Sequence, residues 1–295
     1  MHVSGYLKRT TDPKTRASDY QDLVKQYYES VTRFYQHGWS DCFHFAPFSS
    51  DETLDQALTA QDAFLVQQAS IARGMKVLDV GCGIGGPARR IAQMSGAHIT
   101  GITISPAQVE VATNLTRKQG LEGRCEFLLG DAMHMQFEDA SFDRVYMIES
   151  ACHMPDKGAF YRECARVLRP GGTLGGWDWV RIGHPDGQDL QNLIEPICVY
   201  FALPSLSTLE EIRTHLEGAS LEVRMIEDMS ERGSVSRRWW QPLERQLGSP
   251  LAKITSRFSS TLGMMKKSGD LLVTAGKANV FSPLGFFVAS KPAGV

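Results

Sequence analysis

Four glycines fall within six residues at the end of an apolar run: residues 76–91 read KVLDVGCGIGGPARRI. Glycine there lets a chain leave a buried strand through a sharp turn and present the first N–H groups of a helix to a ligand. A merely tight strand-to-helix turn is the plain alternative, but this density of glycine inside a βαβ unit argues for binding. The pattern around it continues the alternation. HITGITI (98–104), CEFLLGD (125–131), FDRVYMIES (142–150) and TLGGWDWV (173–180) read as buried strands, and 86–96, 106–120 and 157–172 as the helices between them. Ser105 and Pro106 supply an N-cap and a first-turn proline. Such alternation predicts an α/β fold, a doubly wound and mostly parallel sheet with helices on both faces.

The flanks differ from this core. Residues 20–35 carry Tyr20, Leu23, Val24, Tyr27, Tyr28, Val31, Phe34 and Tyr35 at helical spacing, a stripe made largely of rings. A Gly38-Trp39 turn and a helix over 53–72 follow. After Val180 come a helical stretch over 187–216, a strand at 221–228, one long helix from about Arg237, and a last strand, GFFVASK. The expected organisation is a flexible arm over 1–19, a helical lid over 20–72, a Rossmann-like cofactor core over 73–180, and a helical cap with sheet-completing strands over 181–295.

Composition excludes several classes. A chain of 295 residues with 42% hydrophobic and 22% charged residues has material for one large core with a cap. A net charge of −2 gives no footprint for nucleic acid. The six cysteines are scattered with no CxxC pair, so neither a disulfide framework nor a zinc ribbon fits, and no ligand cluster suggests a metal. The polar, basic start is no secretory signal, and no apolar stretch is long enough to span a bilayer. The expectation is a cytoplasmic protein, with self-association and peripheral membrane contact compatible with this composition.

Gly81, Gly83 and Gly86 formally satisfy the dinucleotide fingerprint, so nicotinamide and flavin are candidates. Three features favour S-adenosylmethionine instead. Asp79, just before the loop, suits the cofactor's ammonium and cation and would repel a pyrophosphate. Gly130-Asp131-Ala132-Met133 ends the third strand with an acceptor suited to an adenine amino group and a thioether to pack on its ring. No Tyr-x-x-x-Lys pair for hydride transfer appears.

DVGCGIGG, GDAM, FDRVYMIES and VLRPGG, in this order and spacing, resemble the class I S-adenosylmethionine-dependent methyltransferases. The resemblance implies Asp79, Gly81, Gly83 and Gly85 around the methionine end and Asp131, Ala132 and Met133 around adenine. Cys82, Ile104, Gln108 and Ser40 join that cofactor set. Many such enzymes end the second strand with an acid on the ribose; here it reads GITIS, leaving Thr103 or the backbone for that contact. The likeness narrows further. FYQHGWSDCFHFAP, IESACHMPDK and GKANVFSPLGFFVASKP resemble the sterol C-24 methyltransferase family over roughly residues 27–292. In that family a side-chain alkene attacks the sulfonium methyl, a carbocation forms, and a base removes a proton.

The residues suit that chemistry in their own right. An alkene is a weak nucleophile that must be held in line in a dry pocket. A transient cation is favoured by aromatic faces, and Tyr27, Tyr28, Phe34, Tyr35, Trp39, Phe43 and Phe45 could supply them. For any one ring, helix packing is the simpler reading; the cluster continues through a turn where packing does not demand it. Glu149 and His153 follow the fourth strand at the sheet's C-terminal edge and are the candidate bases, against readings as a helix cap and a packing histidine. Tyr27 and His44 complete the catalytic set. Asp178 is as readily a buried hydrogen-bond acceptor as a catalytic group.

Tyr200 and Phe201, in CVYFALP, stand where the sterol family commonly carries acids, and are placed with the acceptor. A prenyl diphosphate is the alternative acceptor, needing a clamp that Arg33, Arg181, Arg237 and Arg238 could form. A small-molecule O- or N-methyltransferase needs only proximity and one base. A catalytically idle cofactor- or lipid-binding module is the reading from another class, and the intact glycine loop with Glu149 argues against it.

Overall fold

In the computed structural model, residues 2–38, 40–48, 52–183, 187–230 and 238–294 are described. The strands are β1 (Lys76–Val80), β2 (His98–Thr103), β3 (Cys125–Leu129), β4 (Phe142–Ile148), β5 (Leu168–Arg181), β6 (Glu222–Asp228) and β7 (Phe281–Ser290). They form one seven-stranded sheet in the order β3-β2-β1-β4-β5-β7-β6. The first five pair in parallel, and β7 runs antiparallel to both β5 and β6. The doubly wound expectation holds. The chain winds outward from β1 to β3 and then returns to β4 on β1's other side. The crevice outside the carboxyl ends of β1 and β4 is therefore the topological switch point, where such sheets bind ligands.

Side chains alternate between the faces, so each strand feeds two cores. Val77, Ile99 and Trp177 pack on one side, and Leu78, Val80, Ile102 and Val145 on the other. All ten residues of β7 are buried, as befits a strand covered on both faces.

Helix α5 (Gly86–Ser95) starts from Gly85 at φ 73°. The Ser105 hydroxyl caps α6 (Pro106–Lys118), accepting the Gln108 N–H at 3.3 Å. Helix α7 (Lys157–Val167) stops before its expected end, because Pro170 disfavours helical geometry at Arg169 and the chain enters β5 at once.

The first residues correct an expectation. Instead of a flexible arm they form α1 (Val3–Thr10) and α2 (Pro13–Ser18), held by two buried side chains. Arg16 is 1% exposed and donates to Thr10 O, Leu203 O and Glu195; the Tyr6 hydroxyl donates to Tyr200 O. These anchors are long-range partners that no local pattern announces. Helices α3 (Tyr20–Gly38) and α4 (Leu54–Gln68) follow.

The cap contains α8 (Gly187–Asp189), a π-helical turn at Leu190–Ile194, α9 (Glu195–Phe201) and α10 (Leu209–Gly218). The single long helix expected after 237 is three: α11 (Gln241–Gly248), α12 (Pro250–Phe258) and α13 (Ser260–Lys277). Ser249 and Ser259 break it, their hydroxyls accepting the N–H groups of Ala252 and Leu262 as N-caps. No helix among the described residues is long and apolar enough to cross a membrane.

Candidate active site

The glycine loop leaves β1 at the switch point. Gly81 and Gly83 sit at φ 81° and 55°, a region L side chains rarely adopt. A Cβ on Gly81 would stand 2.4 Å from Ser150 Cβ, so the loop is packed against the end of β4. A Cβ on Gly83 would meet nothing within 4 Å, which leaves that backbone open to a ligand. Asp79 lines the same cleft, 3% exposed, with the Tyr146 hydroxyl donating to its Oδ2 at 2.9 Å. Burial pushes its pKa up to about 7 despite that hydrogen bond, so a cation arriving there would be stabilised by restoring the charge. The Thr103 hydroxyl donates to Gln108 Oε1 at 2.7 Å on the opposite wall. A buried carboxylate, open glycine backbone, and further acceptors at Gln108 and Asp131 fit S-adenosylmethionine, with its ammonium, sulfonium and adenosyl parts.

Tyr28, Phe43, His44, Glu149 and His153 line this cleft and also a second cavity of about 670 Å³. Glu149 leaves β4 at φ 53° and is 8% exposed. Its Oε1 accepts the Phe45 N–H and its Oε2 the Trp179 indole N–H, each at 2.6 Å. Burial drives its pKa well above the usual carboxylate range, while these two donors favour the ionised form. The Tyr28 hydroxyl lies 3.1 Å from His153 Nε2. Burial, and then the Lys157 charge, push His153 down to about 3, so it is neutral; its Nδ1 has no hydrogen-bond partner among the described residues. Burial likewise pushes His44 down to about 4.

The turn that carries His153 is held from below. Lys157 Nζ donates to the carbonyls of Ala151, Cys152 and Met154 at 2.7–2.8 Å, and Asp178 Oδ1 accepts the Cys152 N–H at 3.1 Å. Above the cleft, residues 40–48 press directly on α5. A Cβ on Gly86 would stand 2.2 Å from the Asp41 carbonyl oxygen, so glycine is required for that approach.

Rings wall the larger cavity. Trp179 lies 4.9 Å from Phe201 and 6.1 Å from Phe45 between ring centroids, and Tyr27 lies 5.7 Å from Phe201. Leu243, Leu247, Leu262, Met265 and Leu272 close the far side from α11 and α13. Lys266 is the one cation among the described lining residues, and it pairs with Asp270 at 2.6 Å.

Most of the anticipated cofactor residues meet in the cleft: Asp79, Gly81, Cys82, Gly83, Thr103, Ile104, Gln108, Asp131 and Ala132. Gly85, Met133 and Ser40 are not among its lining residues. A Cβ on Gly85 would stand 2.4 Å from the Phe127 ring, so that glycine serves packing. Met133 packs against the hydrophobic core, and the Ser40 hydroxyl is engaged with the Cys42 backbone at 2.8 Å. Of the acceptor and catalytic candidates, Tyr27, Phe34, Phe45 and Phe201 line the larger cavity only, and Tyr200 lines neither. Asp178 stays beneath the site. Arg181 is taken by Leu206 O and Glu211, and Arg238 is exposed, so neither lines the cavity. Trp39 and Arg237 lie outside the described residues, as do the side chains of Arg33 and Tyr35.

Trp179, Tyr146 and Lys157 were not singled out from sequence, and Tyr20 entered only as one ring of the helical stripe. For Trp179 a signal existed: period-two alternation in GWDWV puts it on the face opposite Asp178, and that face carries the site.

Residues 78–175 match the family described as the methyltransferase domain. The chain is 33% identical to cycloartenol-C-24-methyltransferase 1 of Oryza sativa subsp. japonica over 303 residues, covering 95% of this chain and 88% of that protein. It is 32% identical to a sterol 24-C-methyltransferase of Saccharomyces cerevisiae over 308 residues, covering 94% and 80%. Among solved structures, the 4+2 cyclase SpnF matches with a TM-score of 0.77 at 26% identity, over 92% of this chain and 96% of that one. A geranyl diphosphate methyltransferase in complex with GPP and sinefungin matches with a TM-score of 0.72 at 17% identity, over 93% and 100%, a likeness of fold. A cyclase on the same fold means that activity must be argued from the site.

Proposed function

Since the chain belongs to the sterol 24-C-methyltransferase family of S-adenosylmethionine-dependent enzymes, we propose that it methylates an alkene carbon of an isoprenoid lipid, the C-24 position of a sterol side chain. One observation carries this reading: the glycine-backed cleft and the ring-walled cavity meet at Tyr28, Phe43, His44, Glu149 and His153. An apolar acceptor in the second cavity then has its reacting carbon beside the first.

Bound S-adenosylmethionine supplies an electrophilic methyl. We assign Asp79, Gly81, Cys82 and Gly83 to its methionine end, and Thr103, Ile104, Gln108, Asp131 and Ala132 to its adenosyl end. The ring walls exclude water and hold the alkene in line, which matters most for so weak a nucleophile. As the carbon–carbon bond forms and the methyl–sulfur bond breaks, with S-adenosylhomocysteine as the leaving group, positive charge develops on the acceptor. The faces of Phe43, Phe45 and Trp179 favour it, and the cation in turn favours the ionised form of Glu149 against its burial. Glu149 then accepts the proton as the C–H electron pair closes the new alkene. Phe45 and Trp179 keep its two oxygens oriented toward that task. Residues 20–72 act in this reading as a lid over a core beginning at 73, with the helices after 181 as the cap.

A prenyl diphosphate finds less support, because the only described cation lining the cavity is already paired. A peripheral lipid surface fits as the acceptor's source: Phe34, Ile254 and Phe258 are 38%, 56% and 86% exposed on helices that also line the cavity.

Trideuteromethyl-labelled cofactor offered with a pool of Δ24 sterols and prenyl diphosphates, read by mass spectrometry, tests the proposal. Label in a sterol is expected. Label only in a diphosphate would overturn the acceptor, and label in neither would overturn the reaction.

A further inference from the structure

Helix α3 walls both cavities. Tyr20, Val24, Lys25 and Tyr28 line the cofactor cleft, and Tyr27 and Phe34 the larger one. Its far end is followed by residues 40–48, fixed by the close approach of Asp41 to Gly86 and by the Phe45 bond to Glu149. Its first turn is fixed elsewhere. The Tyr20 hydroxyl donates to Asp131 Oδ1 at 2.7 Å, and Gln21 Nε2 donates to Oδ2 at 2.8 Å. Asp131 stands at the opposite end of the cleft from Asp79, just after β3.

A carboxylate has about four acceptor sites. Oδ1 also takes the Met133 N–H at 2.9 Å, and Oδ2 faces His134 Nδ1 at 3.3 Å. The protein therefore engages both oxygens, and two of the partners come from the lid. Burial would raise the Asp131 pKa, but the donors from Tyr20, Met133, His134 and Gln21 outweigh it and hold the group below its ordinary value. An ionised carboxylate with these partners fastens the lid at the same place where it lines the cleft.

We propose that Tyr20 and Gln21 are positioning residues that clasp the lid to Asp131 and so retain the cofactor at the adenosyl end of the cleft. The cofactor then lies between two fastenings of one lid, one at Gly86 and Glu149 and one at Asp131. Release requires one of them to part, and the Asp131 end is fastened by the two side-chain hydrogen bonds from Tyr20 and Gln21. The clasp rests on the assignment of this cleft to S-adenosylmethionine.

The test is the dissociation rate and affinity of S-adenosylhomocysteine, with no acceptor present, for Tyr20→Phe, Gln21→Leu and the double variant, beside Asp79→Asn. The double variant should release the ligand about tenfold faster, each single change less, as expected for losing hydrogen bonds to a charged acceptor. In turnover assays KM for the cofactor should rise in parallel while kcat at saturating cofactor moves less than about twofold, a split that a general loss of folding would not give. Weaker binding by Asp79→Asn with unchanged release from the double variant would overturn the clasp alone. Tighter binding by the double variant would also overturn it, since the lid would then compete with the cofactor for Asp131 instead of retaining it. If no variant alters binding, the cofactor assignment falls and the clasp with it.

Discussion

The two cavities that meet at Glu149 are built by different means. The cofactor cleft is made of strand ends and the short loops behind them, so most of its wall comes from residues 79–132. The larger cavity, the proposed acceptor chamber, is assembled from α3, the segment 40–48, β5, α9 and α11 to α13, parts separated by more than half the chain. A cleft on strand ends is rigid because the sheet fixes it, and its chemistry is written in a few local motifs. A chamber between helices takes its shape from packing, so the same rings can be moved by changes far from the ligand. On the proposed reading, the cleft sets the reaction and the chamber sets what reacts.

Three perturbations test that division. The largest effect is expected from Asp79→Asn, which removes the buried carboxylate assigned to the cofactor's ammonium group. S-adenosylhomocysteine affinity should fall about 10–100-fold, the range for a lost charge-assisted contact, as measured by calorimetry, with the acceptor's KM little changed. An equal loss on both sides would mean that the cavities are one site. Next, Gly86→Ala drives a methyl group into the Asp41 carbonyl and pushes the lid off α5. It should lower stability by about 1–3 kcal/mol in denaturant unfolding and damage acceptor turnover more than cofactor affinity. The smallest effect is that of pH. Burial holds Asp79 near 7 in the free protein, and a bound ammonium favours the ionised form, so binding expels a proton below that pH. Affinity should weaken by up to about tenfold per unit as pH falls below 7 and level off above it. Asp79→Asn should flatten that profile, and an unchanged slope in the variant would assign the titration to another group.

The same division explains what could be read from the sequence. Asp79, Gly81, Gly83, Asp131 and Ala132 were legible because a strand, a glycine loop and a helix fix their neighbours within a few residues. Gly85 shares the loop without lining the cleft: its missing side chain makes room for Phe127, a partner some forty positions away. In the chamber, Phe201 lines the wall and Tyr200 does not, since adjacent residues on a helix point about 100° apart and no pattern says which face is inward. The single long helix expected from Arg237 passed over two stop signals that the sequence does carry, Ser249 followed by Pro250 and Ser259, each serine capping the helix after it. The anchoring of the first two helices by Tyr6 and Arg16 had no local signal.

The claim at the centre of the account is that the Glu149 carboxylate, at the border of the two cavities, takes the proton that completes methyl transfer. Glu149→Gln keeps the shape and one acceptor oxygen while removing the charge. The direct measurement is its turnover of a Δ24 sterol with labelled cofactor, beside its affinity for S-adenosylhomocysteine. Turnover should fall at least about 10²-fold, the usual contribution of a positioned base, with cofactor affinity within about threefold of the parent. Undiminished turnover in that variant would contradict the account.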